Sequence, residues 1–292
     1  MEVLLNFLIY GLVQSAFLSL VAIGFSLTYG ISRLPNFAHG ALYILAGFLI
    51  WNGLNVWKIG YLPSVILAIV LTALIGYSLY YGIIIRVRGM EVSEVIATFA
   101  FSFVVVELLR YFGLFGLSYT LPPFLRGSLE FAGVVLDYQR LIVIISTVAL
   151  VAFLYFFTHY TKIGLAFRAI AQDEQVAMML GIDSDKVAAL SLAFGSALAA
   201  LAAAIWIPVS QLASESALEI LLYALVVSIL GGLGSVTGVI VASLIIGYAQ
   251  VFTASFIAPH YQMIVALVAI IILLLTKPSG IFGKQKELEE RV

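Results

Sequence analysis

The hydrophobic positions of this 292-residue chain gather into long apolar runs that short polar stretches separate. A helix needs about 20 mostly apolar residues to cross the hydrocarbon core of a bilayer. Runs that approach this length lie at residues 6–30, 37–54, 62–85, 92–114, 139–160, 186–209, 216–233, 236–257 and 260–276. The runs at 37–54, 216–233 and 260–276 are short. The pattern therefore predicts eight or nine membrane segments, of which one or two are re-entrant and enclosed by protein.

The composition supports a membrane protein. Apolar residues make up 63% of the chain and charged residues only 10%, whereas a soluble domain averages roughly 45–50% and about 25%. A soluble globular protein of this size cannot bury so much apolar surface. The net charge of −1 gives no basic surface for binding nucleic acid. These values exclude a soluble enzyme, a disordered chain and a nucleic-acid-binding protein. We predict an all-α, polytopic transmembrane helical bundle in the cell membrane, with residues 1–292 as one membrane-embedded domain in contact with lipid.

The basic residues predict the orientation. If the segments alternate and the C-terminus is inside, ten of the 14 lysines and arginines lie on the cytoplasmic side. These ten are Arg33, Arg86, Arg88, Lys162, Arg168, Lys186, Lys277, Lys284, Lys286 and Arg291. The other four, on or near the outer side, are Lys58, Arg110, Arg126 and Arg140. Nine crossings put the N-terminus outside, whereas eight would put it inside and invert the early loops.

Residues 161–186 form the one long loop predicted on the cytoplasmic side. Its apolar residues at Ile163, Phe167 and Ile170 follow helical spacing, and Val176, Met179 and Leu180 continue an apolar stripe. This pattern predicts one or two short amphipathic helices. We expect Asp173 to cap the second helix, Gly181 to follow its end, and Asp183 or Ser184 to cap the next span. From the residues alone, the loop is either an interfacial anchor or a docking surface for a cytoplasmic protein.

The chain carries no motif for its own chemistry. It has no GxxxxGK[ST] phosphate loop, and Gly280–Lys284 has the wrong spacing for one. It has no cysteine and only three well-separated histidines, so we predict no catalytic residue, metal site or cofactor. Glu107 and Arg110 share one helix face and are expected to pair near the outer interface. Glu94, near the inner end of the same helix, is expected to be solvated.

Two helix breaks, one in each half, are candidates for a substrate pathway. Glycine and proline interrupt the first, so that Asn36 and His39 stand at the start of the next span. Broken helices expose backbone groups that can serve a substrate or a gate. We therefore take as candidate pathway residues Asn36, His39, Gly231, Gly232 and Gly234. The alternative for the first break is a tight cytoplasmic turn.

In their order and spacing, four motifs resemble the LivH-type permease subunit of branched-chain amino acid ATP-binding cassette (ABC) importers. The resemblance runs nearly end to end. The motifs are Asn36–Gly40, Gly164–Ile182, Gly231–Gly238 and Lys277–Lys284.

The resemblance implies an ABC importer permease fold and a transport subunit without catalysis of its own. Residues 161–186 would be the coupling loop on an ATP-binding cassette subunit, and residues 277–292 a cytoplasmic tail. The matching coupling positions are Arg168, Asp173, Ala177 and Gly181. Further partners would be a second homologous permease and an extracytoplasmic substrate-binding protein. The expected solutes are branched-chain, hydrophobic amino acids, moved by alternating access. Urea or short amides, which related permeases carry, and a self-sufficient secondary transporter remain alternatives.

Overall fold

The computed structural model describes residues 2–114, 116, 119–131 and 133–283. Three basic residues of the predicted cytoplasmic tail, Lys284, Lys286 and Arg291, lie outside the described residues, as does the rest of 284–292.

Helices dominate the described chain, and nine of them there have 15 or more residues. They are α1 (Glu2–Ser32), α2 (His39–Asn55), α3 (Tyr61–Gly82), α4 (Glu91–Leu109), α5 (Tyr138–Tyr160), α8 (Ser184–Trp206), α9 (Ser216–Gly231), α10 (Val236–Phe256) and α11 (Gln262–Thr276). Two shorter helices, α6 (Lys162–Gln172) and α7 (Glu174–Met179), lie between α5 and α8. The nine long helices match the nine predicted runs, so the helical-bundle prediction is confirmed. Seven helical stretches in the described chain are long and apolar enough to cross a membrane, and α2 and α9 are not among them.

A small hairpin departs from the purely helical prediction. Strand β1 (Ser128–Phe131) pairs antiparallel with strand β2 (Val134–Asp137), with Ser128 opposite Asp137. It lies within the loop between α4 and α5, where four-residue strands add a local feature to a helical fold.

The basic residues gather at one end of the bundle, here called the basic end. In the described chain it carries Arg33, Arg86, Arg88, Lys162, Arg168, Lys186 and Lys277. Contacts between distant segments bring these positions together: Arg88 bonds to Glu174, and the Ile281 N–H donates to the Leu230 carbonyl. The hairpin lies at the opposite end, where the Tyr10 hydroxyl donates to the Val135 carbonyl. The start of α1 is therefore at the opposite end, as the nine-segment map predicts.

Helix α2 begins inside the bundle, against the first turn of α9. The His39 Nε2 group lies 3.0 Å from the Val21 carbonyl, and Val21 precedes the end of α1 by eleven residues. That separation corresponds to roughly 16 Å of helix. A Cβ added at Gly40 would overlap the Ala217 carbonyl oxygen, so the first turns of α2 and α9 touch. Two of the three short runs are thus helices of 17 and 16 residues whose first turns meet. The third, 260–276, lies within a stretch of spanning length, Pro259–Thr276.

The helices around this meeting point pack reciprocally. Helix α1 packs most extensively on α10, and α8 packs most extensively on α3. Helix α2 packs on α8, α9 packs on α1, and α2 and α9 contact one another. Helix α1 runs toward the basic end and α8 runs away from it. This is the pattern expected of two inverted repeats, α1–α4 and α8–α11, a plan common among transporters.

Candidate functional site

The 161–186 loop folds as two helices with side-chain caps, as predicted. Asp173 Oδ1 accepts a hydrogen bond from the Val176 N–H at 3.0 Å and begins α7. Asp183 Oδ1 accepts from the Lys186 N–H at 3.1 Å and begins α8. The backbone N–H of Lys186, together with its ammonium, holds the pKa of Asp183 below its usual range, so this cap stays ionised at neutral pH.

Helix α6 is fixed to the membrane helices. The Phe167 side chain is buried, and its ring lies 5.9 Å from that of Phe157 in α5 and 6.4 Å from that of Phe194 in α8. A Cβ added at Gly164 would overlap the Phe157 carbonyl oxygen. Because backbone meets backbone here, α6 cannot shift without moving the end of α5.

The structure gives the four candidate coupling residues different positions. Ala177 is buried beneath α7, and its carbonyl accepts from the Ile182 N–H. Gly181 has a φ of +85°, a conformation that glycine adopts without strain, and it turns the chain back toward α8. With Asp173 as the cap, these residues shape the element. Arg168 is exposed on α6 and presents its side chain outward.

The residues most available for contact lie at the end of α7. Here Val176, Met178, Met179 and Leu180 are exposed by 52%, 46%, 84% and 77%. We call these four residues the apolar tip. Carboxylates flank it on both sides in the sequence, and no basic residue lies between Arg168 and Lys186. The sequence pattern marked the stripe at Val176, Met179 and Leu180, but it could not tell which face would stay uncovered.

Asn36 and His39 lie together at the start of α2 and are both buried. The Asn36 Oδ1 accepts from the Ala38 N–H at 3.1 Å, and the His39 Nε2–H donates to the Val21 carbonyl. Their other polar atoms, Asn36 Nδ2 and His39 Nδ1, have no hydrogen-bond partner among the described residues. Buried polar groups are nearly always paired, so these two are exceptions.

The three candidate glycines lie elsewhere, in the junction between α9 and α10 at the basic end. A Cβ at Gly231 would overlap Gly238, and one at Gly232 would crowd the 280–283 segment. Gly234 packs against Gly30 near the end of α1. The structure therefore does not bring these glycines to His39, and their contacts are close backbone packing between helices.

The two acidic positions on α4 behave differently. The Arg110 guanidinium lies 2.7 Å from Glu107, which confirms the predicted pair, and it also reaches Ser214 and Glu215 before α9. The expectation for Glu94 was wrong: its side chain is buried, and Oε1 accepts from the Gly89 N–H at 2.7 Å. Folding of the α3–α4 connection over the helix end, which spacing along α4 does not reveal, removes this carboxylate from water.

Spanning helices, two shorter helices that meet at their first turns, and a capped, surface-exposed helical loop define the class as multi-pass membrane permeases. The chain belongs to the family described as the branched-chain amino acid transport system permease component, which matches residues 7–274. It is accordingly a transport subunit and a multi-pass protein of the inner membrane.

Similar curated proteins are permeases from bacteria and an archaeon. The chain is 28% identical to the high-affinity branched-chain amino acid transport system permease protein BraD of Pseudomonas aeruginosa, over 95% of each chain. It is 28% identical to LivH of Escherichia coli K12, over 91% of each. It is 26% identical to a probable LivH of Methanocaldococcus jannaschii, over 93% of this chain and 90% of that one.

A solved structure shares the fold. PsaBC from Streptococcus pneumoniae, in complex with Fab, matches with a TM-score of 0.52 at 12% identity. The match covers 98% of this chain and 96% of that chain.

Proposed function

We propose that this chain is the membrane conduit of an ATP-driven importer of branched-chain amino acids. A separate ATP-binding subunit docks on residues 161–186, and its hydrolysis of ATP drives alternating access. The observation that carries the proposal is the apolar tip, a solvent-exposed apolar surface on the short, capped helix that follows the fixed helix α6.

Energy has to come from another chain, because this sequence has no phosphate loop and the described spans contain few ionisable groups. By the positive-inside rule the basic end faces the cytoplasm, where ATP is available. The α6–α7 loop lies at that end.

Charge favours a protein over a lipid surface as the occupant of the apolar tip. The inner leaflet is anionic and attracts basic segments. The segment from Asp173 to Asp185 carries four carboxylates and no basic residue. Arg88 and Lys186 pair with three of these carboxylates, so the segment offers no positive charge to that leaflet. The matching partner is a protein groove with an apolar floor. Arg168 lies on the other side of α6 and would pair with an acidic group of the same partner.

A second permease chain would complete the conduit. His39 and Asn36 are packed inside the chain and do not line an open passage in this conformation. Helices α4 and α11 instead present broad apolar faces, and Ala266 is the buried residue of α11. An extracytoplasmic binding protein would deliver the solute at the opposite end.

The solute class follows from the same surfaces. A path lined by apolar and small polar groups suits a zwitterion with an apolar side chain, and it offers no ring of charges for an ion. The relatives are named as branched-chain amino acid permeases. We therefore take leucine, isoleucine and valine as the solutes.

The test is reconstitution in liposomes with candidate ATP-binding subunits, a second permease and a binding protein. We expect co-purification of the ATP-binding subunit, ATPase activity stimulated by leucine, and leucine uptake. If urea and not leucine stimulated the ATPase activity, the assignment of the solute would be wrong. If this chain alone accumulated leucine against a gradient, the proposal that a separate subunit supplies the energy would be wrong.

We expect Asn36→Ser to lower transport more than abundance. Serine retains an oxygen acceptor for the first turn of α2 but removes the unpartnered Nδ2 group. If that group serves a passing solute or a gate, uptake should fall by roughly three- to tenfold, the value of one hydrogen bond. Uptake per membrane-inserted permease is the measurement.

Gln139 provides the control, because both ends of its buried side chain are already bonded, to Phe124 and Ile205. Gln139→Leu should lower abundance and uptake in proportion. A proportional loss for Asn36→Ser as well would mean that the first break is only a turn.

A further inference from the structure

Arg88, in the connection between α3 and α4, bonds to groups on three other elements. Its Nη2 lies 2.7 Å from Glu174 Oε1 on α7 and 3.1 Å from Ser184 Oγ at the start of α8. Its Nη1 bonds to Asp185 Oδ1 and lies 2.8 Å from the Tyr80 hydroxyl on α3. The Tyr80 hydroxyl in turn donates to Asp185 Oδ1 at 2.6 Å. One planar guanidinium thus joins α3, α7 and α8.

The cluster is stiff on its membrane side. Tyr80 is fully buried, and Ile84, at the start of the connection, is buried with Leu34 and Ala188. Beyond Arg88, the Gly89 N–H donates to Glu94 in the first turn of α4. If Arg88 moves, the connection moves with it, and so do the ends of α3 and α4.

Helix α7 is held less firmly. It has six residues, and Ala177 is the buried one among them. The Glu174 side chain on α7 is 42% exposed, and the Arg88 side chain is 24% exposed. Their ion pair is charge-assisted, and the other end of the same guanidinium bonds to Asp185. Arginine holds two such partners in a fixed geometry, which lysine does not.

We propose that Arg88 is a positioning residue that transmits movement of α7 to the ends of α3 and α4. This inference rests on the proposed function, because it requires an ATP-binding subunit on the apolar tip. Rotation of α7 pulls on Glu174, Arg88 carries the pull to Asp185 and Tyr80, and the connection tilts α4. Helix α4 presents an exposed face to the second permease, so its tilt changes the conduit.

The experiment uses the full reconstituted importer with Arg88→Gln, Arg88→Lys and Glu174→Gln. Arg86→Gln is the matched control, because Arg86 is exposed and lies two residues away in the same connection. We expect all four variants to bind the ATP-binding subunit and to keep basal ATPase activity. Leucine carried per ATP hydrolysed should fall by roughly tenfold in Arg88→Gln and Glu174→Gln, the size of a typical coupling free energy. Arg88→Lys should lie between, and Arg86→Gln should match wild type.

A merely structural role predicts different results. It would lower abundance, thermal stability and subunit binding together, without a change in leucine per ATP. The second measurement uses the double variant Arg88→Gln with Glu174→Gln. It should carry as much leucine per ATP as Arg88→Gln alone, because both substitutions remove the same contact. Additive losses would overturn the proposal, as would normal coupling in Arg88→Gln or Glu174→Gln.

The chain has no cysteine, so spin labels can be placed at chosen positions without background. The distance between labels at Val87 and Gln175 should stay constant between nucleotide states in wild type and vary in Glu174→Gln. A constant distance in both proteins would overturn the transmission role. Failure of wild type to bind any ATP-binding subunit would overturn the proposed function instead.

Discussion

A permease that carries Met179→Asp and Leu180→Asp should reach the membrane in normal amount but bind its ATP-binding subunit at least about 100-fold more weakly. The two side chains are 84% and 77% exposed in this chain, so their replacement costs little in the isolated permease. Buried in a partner, each would contribute about 1.5–3 kcal/mol. Replacement by carboxylates removes that gain and leaves two charges that the groove has to desolvate.

The measurement is the dissociation constant of the detergent-solubilised permease for the ATP-binding subunit. Met90→Asp provides the matched control, because Met90 is 51% exposed in the α3–α4 connection at the same end and acquires the same charge. It should bind as wild type does. Unchanged affinity in the Met179 and Leu180 variant would contradict docking at the apolar tip. If the two substitutions instead moved the loop away from the membrane surface, the loop would be a lipid anchor.

The docking prediction depends on features that the sequence could supply only in part. Helix caps are local, because Asp173 and Asp183 bond to N–H groups three residues ahead of them. Spacing therefore predicted both caps and the turn at Gly181. The uncovered face of α7 depends on what packs beneath Ala177, and that contact comes from chain outside the loop.

Long-range polar contacts are harder still to predict from the sequence. Arg88 looked like one of ten basic residues on an inner surface, and nothing within a few positions of it indicates Glu174 or Asp185. Those partners lie 86 and 97 residues away. Glu94 was misjudged for the same reason, since the fold of the neighbouring connection decides its burial.

Helices α2 and α9 also show which features the sequence can predict and which it cannot. Apolar length marked three runs as short, and two of them, 37–54 and 216–233, are the helices that do not reach spanning length, whereas 260–276 lies within one that does. Glycine and proline marked the break before His39. Length does not reveal that α2 and α9 begin against each other. That arrangement depends on the reciprocal packing of the two repeats, α1 on α10 and α8 on α3.

The contact between α2 and α9 gives the prediction with the largest effect on stability. Gly→Ala inside a helix ordinarily stabilises a protein by about 0.5–1 kcal/mol, because glycine loses more backbone entropy on folding. Gly40→Ala should do the opposite and destabilise the permease by about 1–3 kcal/mol. The new Cβ would overlap the Ala217 carbonyl oxygen, which is backbone and cannot rotate away. Thermal unfolding of the purified permease and its yield in membranes are the measurements.

Gly82→Ala is the control, because it adds the same methyl group where no atom lies within 4 Å. Gly82 is the last residue of α3, so its replacement should be neutral or slightly stabilising. The opposite signs of the two substitutions separate close packing from helix propensity. If Gly40→Ala were as stable as Gly82→Ala, the first turns of α2 and α9 would not be in close contact. The inverted repeat would then lose the contact on its axis, and Asn36 and His39 would lie at an ordinary helix start.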